Sequence, residues 1–339
     1  MTFKLAHKAF RNKTFSRPEL NRDHFGRTVN YLRLSVTDRC NLRCCYCMPP
    51  SGISKCSHDE VLRYEEMMQV SRAAVSLGIE KIRITGGEPL VRKGLLSFLQ
   101  RLNSLPGLSE ITLTTNGLLL AEMASEIKAA DVNRLNVSLD SLQPETYAGI
   151  TRGGNLKKVL AGLDAAERVG LGLKLNMVVM RGINDREICE FAALSVTRPW
   201  SVRFIEYMPT IREKAWRNRV LPGSEIIKSL QQKYSLTPLE ATRLCGPAKP
   251  YRIDGAVGTI GIITPMSDHF CGSCNRIRVT STGMVKSCLL SEGAFDLKPA
   301  LAKGYDTVRS ALSDVIEGKS YRHNFHDNQR SFQMSSIGG

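Results

Sequence analysis

The sequence alternates strand-like runs with helix-like stretches, and this alternation restricts the fold more than any other feature. Amphipathic stretches at 64–77, 94–105, 121–130 and 156–169 are predicted to form helices. Strands that alternate with helices form a parallel sheet, so the predicted fold class is α/β. The six predicted strands are runs of β-branched and apolar residues, at Tyr31–Val36, Lys81–Thr85, Glu110–Thr114, Arg134–Ser138, Lys174–Val179 and Ser201–Ile205.

Six strand–helix units are fewer than the eight of a closed barrel. We therefore predict a partial (β/α)6 TIM-like barrel, with a doubly wound sheet as the alternative. After Pro222 the alternation fades, because residues 223–239 are predicted to form a helix and residues 244–261 are rich in glycine and proline. The predicted parts are a flexible basic leader at 1–20, the barrel at 21–222, and a C-terminal extension at 223–339 that closes the barrel mouth.

Polar or glycine-rich segments follow each predicted strand. Because active sites in such folds lie at the carboxyl ends of the strands, we expect these segments to meet at one rim of the sheet. The segments are 40–47, 86–89, 115–117, 138–140, 180–185 and 206–209.

The first of these segments carries three closely spaced cysteines, Cys40, Cys44 and Cys47, with Arg39 and Arg43 beside them. Positive charge favours the thiolate form that binds metals. An iron–sulfur cube usually has four thiolate ligands, so three would leave one iron open for chemistry. A zinc site or a disulfide pair is the alternative for this spacing.

A second group of three cysteines, Cys271, Cys274 and Cys288, lies in the C-terminal extension. Alone, it would also fit a zinc knuckle completed by His269. Two three-thiol groups in one chain instead suggest two iron–sulfur clusters that face one cavity. We therefore predict that the C-terminal extension carries the second cluster.

Arg276 and Arg278 follow the second thiol group at alternate positions. On an extended segment, alternate side chains point to the same side, and guanidinium groups bind phosphate through two parallel hydrogen bonds. Surface salt bridges are the alternative role. The pair therefore favours a phosphate-bearing ligand near the second thiol group.

The net charge of +15 favours anionic partners. The cations are spread along the chain, which suits a polyphosphate ligand better than the basic stripe typical of nucleic-acid binding. Aromatic residues make up 6% of the chain, too few for a surface that stacks bases, so we expect no nucleic acid. No apolar run is long enough to cross a bilayer, so we expect no membrane association.

Ten cysteines without a secretory signal favour a reducing compartment, and we predict the cytoplasm. The leader at 1–20 is basic and poor in acidic residues, as mitochondrial presequences are. The mitochondrial matrix is therefore the alternative location.

The first thiol group, with Tyr46 before its last cysteine, resembles the cluster motif of the radical S-adenosylmethionine superfamily, as does Gly86-Gly87-Glu88-Pro89. The second thiol group, the arginine pair and the final Gly338-Gly339 resemble the GTP 3′,8-cyclase family, which catalyses the first step of molybdenum cofactor biosynthesis. The resemblance extends from Asp23 to the last residue.

This resemblance implies two [4Fe–4S] clusters and S-adenosylmethionine as cofactors. In the family, a 5′-deoxyadenosyl radical removes the 3′ hydrogen of GTP, and C3′ then bonds to C8. The product is (8S)-3′,8-cyclo-7,8-dihydroguanosine 5′-triphosphate. The implied partners are GTP, an external one-electron reductant, a cyclic pyranopterin monophosphate synthase that receives the product, and a second copy in a homodimer.

The resemblance also assigns roles to individual residues. The six cysteines of the two groups would bind the clusters, and Arg276, Arg278, Gly338 and Gly339 would act in catalysis. The residues implied to hold S-adenosylmethionine are Tyr46, Gly87, Ser138 and Met208. Those implied to bind GTP are Arg33, Arg83, Thr114, Lys174, Arg203, Arg276 and Arg278.

Two other functions fit parts of the sequence. A radical S-adenosylmethionine enzyme that modifies peptides would carry an auxiliary cluster, but it gives no reason for Arg276 and Arg278. A basic zinc-knuckle module that binds RNA or DNA would need more aromatic residues. A cavity that binds a triphosphate explains more of the sequence, because cations inside strands are costly unless a counter-charge pairs with them.

Overall fold

The structure, a computed structural model, describes residues 21–54, 56–209, 215–241, 244, 246–290, 293–322 and 334. Its centre is a parallel sheet of six strands that are hydrogen-bonded in chain order. This arrangement confirms the predicted partial barrel. The strands are β1 (Tyr31–Ser35), β2 (Lys81–Thr85), β3 (Glu110–Thr115), β4 (Arg134–Ser138), β5 (Gly172–Val179) and β6 (Ser201–Glu206).

The helices of the barrel follow the strands and cover the outer face of the sheet. Outward side chains such as Leu34, Ile84 and Leu113 belong to the main hydrophobic core together with helix residues such as Phe98. The helices are α1 (Tyr64–Ser76), α2 (Leu95–Asn103), α3 (Leu120–Ala129), α4 (Pro144–Thr151), α5 (Leu156–Arg168), α6 (Ile188–Thr197) and α7 (Gly223–Gln231), of which α7 follows β6 and begins the predicted C-terminal extension.

The inner face of the sheet is polar. Side chains alternate along a strand, so the residues between the apolar positions point into the barrel. In β1 and β2 these include Arg33 and Arg83, which lie directly opposite each other in the parallel register. The strands are therefore amphipathic, with an apolar outer face and a charged inner face.

The C-terminal extension adds strands to both edges of this sheet. The added strands are β7 (Leu236–Pro238), β8 (Lys249–Ile253), β9 (Thr259–Ile263), β10 (Arg276–Val279), β11 (Met284–Lys286) and β12 (Phe295–Asp296). Of these, β9 lies parallel to β6, and β10 lies parallel to β1. Over the described residues the sheet then has twelve strands, in the order β12-β11-β10-β1-β2-β3-β4-β5-β6-β9-β8-β7.

Two helices, α8 (Lys298–Lys303) and α9 (Tyr305–Glu317), complete the described elements, and α9 packs against α1. The helix predicted at 223–239 is too long, because α7 ends at Gln231 and Leu236 already pairs with Ile253 of β8. The leader at 1–20 lies outside the described residues, and the division at 222 stays a prediction. Within the described part of the chain, no helix has the length and apolar character to cross a membrane.

Candidate active site

A cavity of about 320 Å³ lies at the carboxyl ends of the parallel strands. This volume is at the lower end of the range for small-molecule sites. Its walls come from both the barrel and the C-terminal extension, so the two predicted parts of the chain meet here. The cysteines of both groups line it, at Cys40, Cys44, Cys47, Cys271, Cys274 and Cys288.

Most of the other residues singled out in the sequence also line this cavity. Lys174 does not: it lies on β5, two residues before Asn176, which is part of the wall. Gly338 and Gly339 lie outside the described residues, although Met334, near the end of the chain, is part of the cavity wall. The sequence-predicted residues in the wall are Arg33, Tyr46, Arg83, Gly87, Thr114, Ser138, Arg203, Met208, Arg276 and Arg278.

The loop that carries the first thiol group is held by the end of α4. The backbone N–H of Cys45 donates to the carbonyl of Ile150 over 2.8 Å. The guanidinium of Arg152 donates to the carbonyls of Arg43 and Met48, over 3.0 and 2.8 Å. This loop is therefore fixed from outside the cavity by a helix that the sequence analysis did not predict.

Asp140 holds the same loop from inside the barrel. Its carboxylate accepts hydrogen bonds from the hydroxyl of Tyr46 over 2.7 Å and from the backbone N–H of Val178 over 2.8 Å. Burial raises the pKa of Asp140 to about 6. The sequence placed Asp140 at a strand end, but no motif gave it a role.

Gly86 and Gly87 let the turn after β2 pack directly on the backbone that leads into the first thiol loop. A methyl group on Gly87 would lie 2.4 Å from the carbonyl oxygen of Arg39, and one on Gly86 would lie 2.8 Å from that of Thr37. Such distances are too short for any side chain. The two glycines are thus required by close packing of two chain segments.

Glu88, the next residue, links the ends of β2 and β3. Its carboxylate accepts hydrogen bonds from the hydroxyl of Thr115 and the backbone N–H of Asn116, over 2.8 and 2.7 Å. Burial raises the pKa of Glu88 to about 7. The side chain of Asn116 in turn donates to Asn41 in the first thiol loop over 2.7 Å.

Three arginines form a row across neighbouring strands at the cavity. In the sheet register, Arg33 of β1 lies between Arg278 of β10 and Arg83 of β2. Burial, followed by the charge of Arg278, lowers the pKa of Arg33 well below its ordinary value. Burial, followed by the charge of Arg276, lowers the pKa of Arg278 to about 10. The row therefore favours an anionic ligand.

The barrel interior also has buried polar atoms that need a partner. Within the described part of the chain, several of them make no hydrogen bond. Each such atom costs about 1–3 kcal/mol when it stays unsatisfied, so a polar ligand would stabilise this interior. They include Tyr31 Oη, Arg83 Nε, Thr112 Oγ1, Thr114 Oγ1, Asn136 Oδ1 and Asn176 Oδ1.

The second thiol group has a more positive surrounding than the first. Burial alone would raise the pKa of Cys274, but Arg276 and Lys319 outweigh it and lower the pKa to about 6. The pKa of Cys44, by contrast, is raised well above its usual value by burial and then by Asp140.

Among the described residues, no three His, Cys, Asp or Glu side chains are grouped to hold a single metal ion.

Cys45 does not line the cavity. It packs instead against a small hydrophobic cluster formed by Ile150, Met180 and Tyr207. Cys45 therefore lies apart from the three thiols of its loop that line the cavity.

Sequence comparison identifies the family. Curated GTP 3′,8-cyclases match almost the whole chain: that of Geobacter sulfurreducens is 52% identical and that of Peptoclostridium acidaminophilum 48% identical. The alignments cover 94% of this chain and 99% and 98% of those two proteins. The chain belongs to the GTP 3′,8-cyclase family.

Two family models divide the same chain. That of the Radical SAM superfamily matches residues 34–194, and that of Molybdenum Cofactor Synthesis C matches residues 200–325. Among solved structures, Streptococcus suis SuiB bound to S-adenosylmethionine has a TM-score of 0.55 at 13% identity, over 83% of this chain and 68% of SuiB. This likeness supports the fold that the GTP 3′,8-cyclase family shares with its superfamily.

Proposed function

We propose that this protein is a radical S-adenosylmethionine enzyme that converts GTP to (8S)-3′,8-cyclo-7,8-dihydroguanosine 5′-triphosphate, the first step of molybdenum cofactor biosynthesis. The observation that carries this proposal is a single cavity lined by two three-thiol groups and a row of arginines. The two thiol groups would each hold a cluster, and the arginine row supplies positive charge for a nucleoside triphosphate.

The residues around the first thiol group fit a [4Fe–4S] cluster with S-adenosylmethionine. Cys40, Cys44 and Cys47 would supply three of the four thiolates that a cube usually has, so the cofactor could occupy the remaining position. When bound, the cluster supplies the electron that cleaves S-adenosylmethionine and so starts hydrogen removal from GTP. The tight turn at Gly87 gives the cofactor access to backbone groups at the wall, and Ser138 offers a hydroxyl there.

Two further residues complete this half of the site. Tyr46 is locked by its hydrogen bond to Asp140, which fixes the loop that the cofactor must contact. Met208 follows β6 in the cavity wall and offers a flexible, polarizable side chain suited to an adenine ring. Both residues therefore hold the cofactor in one orientation.

The other half of the cavity would hold GTP. Cys271, Cys274 and Cys288 would hold the second cluster in the wall of this half of the cavity. Seven side chains would bind the rest of the nucleotide, and the cations among them supply the counter-charge for the triphosphate. These are Arg33, Arg83, Thr114, Lys174, Arg203, Arg276 and Arg278.

The chain's own contribution to catalysis is then orientation and exclusion of water. The buried arginines act in a low-dielectric interior, where charge interactions are stronger than in water. Walls from both parts of the chain keep a reactive radical away from solvent. An external one-electron reductant, a cyclic pyranopterin monophosphate synthase for the product, a homodimer and a cytoplasmic location complete the proposal.

The test is anaerobic reconstitution with iron and sulfide, followed by reductant, S-adenosylmethionine and GTP. We expect about eight irons per chain, four for each cube, and 5′-deoxyadenosine formation that depends strongly on GTP. Cys40→Ala should abolish all cleavage of S-adenosylmethionine. About four irons together with bound zinc, or 5′-deoxyadenosine formation indifferent to GTP, would contradict the proposal.

A further inference from the structure

The second thiol group rests on a buried lysine that no motif pointed to. Lys319 follows α9, and only 2% of its surface is exposed. Its ammonium donates to the carbonyl of Arg276 over 3.0 Å and to the carbonyl of Ser287. Arg276 begins β10 just after Cys274, and Ser287 directly precedes Cys288. One side chain therefore bridges the two segments that carry these cysteines.

Lys319 also brings positive charge to the thiols. The pKa of Lys319 is lowered, chiefly by burial, although the neighbouring Cys274 and Cys288 oppose the shift. A buried ammonium is unfavourable unless negative charge and hydrogen-bond acceptors surround it. The carbonyls of Arg276 and Ser287 supply the acceptors, and Cys274 and Cys288 would supply the negative charge when they bind a cluster.

Arg27 holds this lysine in place from the other end of the chain. Its guanidinium donates to the carbonyls of Lys319 and Ser320, over 3.2 and 2.7 Å. It also donates to the carbonyl of Cys271 over 2.7 Å, and an ion pair with Asp23 fixes its orientation. Its side chain is only 8% exposed. Arg27 therefore joins the backbone of Cys271 to the backbone of Lys319.

The two cations together touch all three segments of the second thiol group. Arg27 bonds to Cys271 itself, while Lys319 bonds next to Cys274 and Cys288. The segment that follows α9 therefore supports the thiols. Such second-layer contacts orient metal ligands and tune the metal that they hold.

We propose that Lys319 is a positioning residue for the second iron–sulfur cluster, and that Arg27 fixes Lys319 for this task. The ammonium sets the spacing between the strand of Cys274 and the segment of Cys288, and it offsets the negative charge of the thiolate ligands. This inference rests on the proposed function, because it requires that the second thiol group holds a cluster.

The test measures how fast each cluster loses iron to a chelator. Lys319→Met keeps the length of the side chain but removes its charge and its donors, and Lys319→Arg keeps the charge. Lys303→Met, at an exposed lysine of α8, is the matched control. Each variant is prepared twice in the full chain. In one version the three cysteines of the first thiol group are replaced by alanine, and in the other those of the second thiol group are replaced.

With only the second group intact, Lys319→Met should release iron about 10- to 100-fold faster than the unsubstituted lysine. Lys319→Arg should release it more slowly than Lys319→Met, and Lys303→Met should match the parent. The reduction potential of the second cluster should fall in Lys319→Met, because a nearby positive charge has gone. With only the first group intact, Lys319→Met should lose iron at the parental rate.

Three results would overturn the proposal: an unchanged rate in Lys319→Met, equal acceleration at both clusters, or a Lys319→Arg rate as fast as that of Lys319→Met. Equal acceleration would indicate a general folding defect. Failure of the proposed function shows separately, because a parent with only the second group intact would then bind no iron–sulfur cluster at all.

Discussion

Lys174 lies inside the barrel among other cations. Burial, followed by the charges of Arg203, Arg134, Lys81 and Arg83, lowers the pKa of Lys174 from 10.5 to about 6. Such a lysine is largely neutral at pH 7 in the ligand-free protein. A triphosphate bound beside it would restore the charge, because an opposite charge favours the ionised form.

The first prediction is that GTP binding takes up a proton near pH 7.5. Calorimetric titrations in two buffers with different ionisation enthalpies measure this uptake. Lys174→Met should abolish most of it and weaken GTP binding, whereas Lys157→Met, at an exposed lysine of α5, should change neither. Equal heats in both buffers would show that Lys174 is already charged or lies away from the triphosphate.

The second prediction concerns stability without ligand. The pKa of Lys174 is about 6 in the folded chain and 10.5 in the unfolded chain, so between these values only the unfolded chain binds the proton. Ionisation of Lys174 therefore makes the free energy of unfolding rise with pH between these two values. Lys174→Met removes the penalty, and Tm should rise by roughly 2 °C or more at pH 6 and by less at pH 9. A Tm shift that is the same at both pH values would contradict the assignment.

The arginine pair gives the third prediction. Arg276→Ala or Arg278→Ala should lower GTP turnover about 10- to 100-fold, because a buried charge-assisted hydrogen bond contributes about 1.5–3 kcal/mol. Cleavage of S-adenosylmethionine should remain but become uncoupled from GTP. The assay compares the amounts of 5′-deoxyadenosine and cyclised product that form. Arg168→Ala, at an exposed arginine of α5, is the control. Unchanged turnover in both variants would remove these residues from the site.

At the scale of elements, the site depends on how tightly the turn after β2 packs on the first thiol loop. The backbone N–H groups of Gly87 and Glu88 donate to the carbonyls of Thr37 and Arg39, over 2.7 and 2.8 Å. The segments that follow β1 and β2 are thus joined by backbone hydrogen bonds. This joint positions the first thiol loop against the barrel.

The fourth prediction tests this joint. Gly87→Ala places a methyl group against the backbone of Arg39, so it should destabilise the protein by roughly 2 kcal/mol or more and impair binding of S-adenosylmethionine. Gly149→Ala is the control, because a methyl there meets no atom within 4 Å and lies in helix α4. It should be neutral or slightly stabilising. Denaturant unfolding measures the free energy of unfolding of both variants. If Gly87→Ala were as stable as Gly149→Ala, the close packing at Gly87 would be refuted.

The six barrel strands were predictable because their pattern is local. Each run alternates apolar and polar residues and ends at glycine or polar residues, as in Lys81–Thr85, whose bounds are unchanged in the structure. The pairing of β10 with β1 was not predictable, because its partners Arg276 and Tyr31 lie at opposite ends of the chain. Parallel pairing over such a separation leaves no turn signal in the sequence.

The same reasoning divides the site. The thiols and the arginine pair could be found because their spacing is short and chemically unusual. Lys319 and Asp140 could not, since a single lysine or aspartate has no pattern, and its role appears only when distant segments meet. Local motifs therefore indicate the candidate reactive groups, and the fold shows which side chains hold those groups in place.

At the scale of the whole molecule, the C-terminal extension belongs to the same sheet as the barrel. Its β9 and β10 cover the two edges that β6 and β1 would otherwise expose, and exposed parallel edges are unfavourable. Gly258 makes the join at β6 close, because a methyl there would lie 2.2 Å from the carbonyl oxygen of Trp200. We therefore expect both edges to unfold together with the centre.

The last prediction follows from this cooperativity and is measured by native-state hydrogen exchange. Amides of β9 and β10 should open with the same free energy as those of β1 and β6, while the outermost β7 should open locally at lower free energy. Gly258→Ala, at the β6 edge, should lower the opening free energy of β10, at the opposite edge, by as much as that of β9. Gly293→Ala, where a methyl meets no atom within 4 Å, should leave both unchanged. If Gly258→Ala lowered the opening free energy of β9 alone, β9 and β10 would unfold independently of each other, and the extension would not belong to one cooperative folding unit with the barrel.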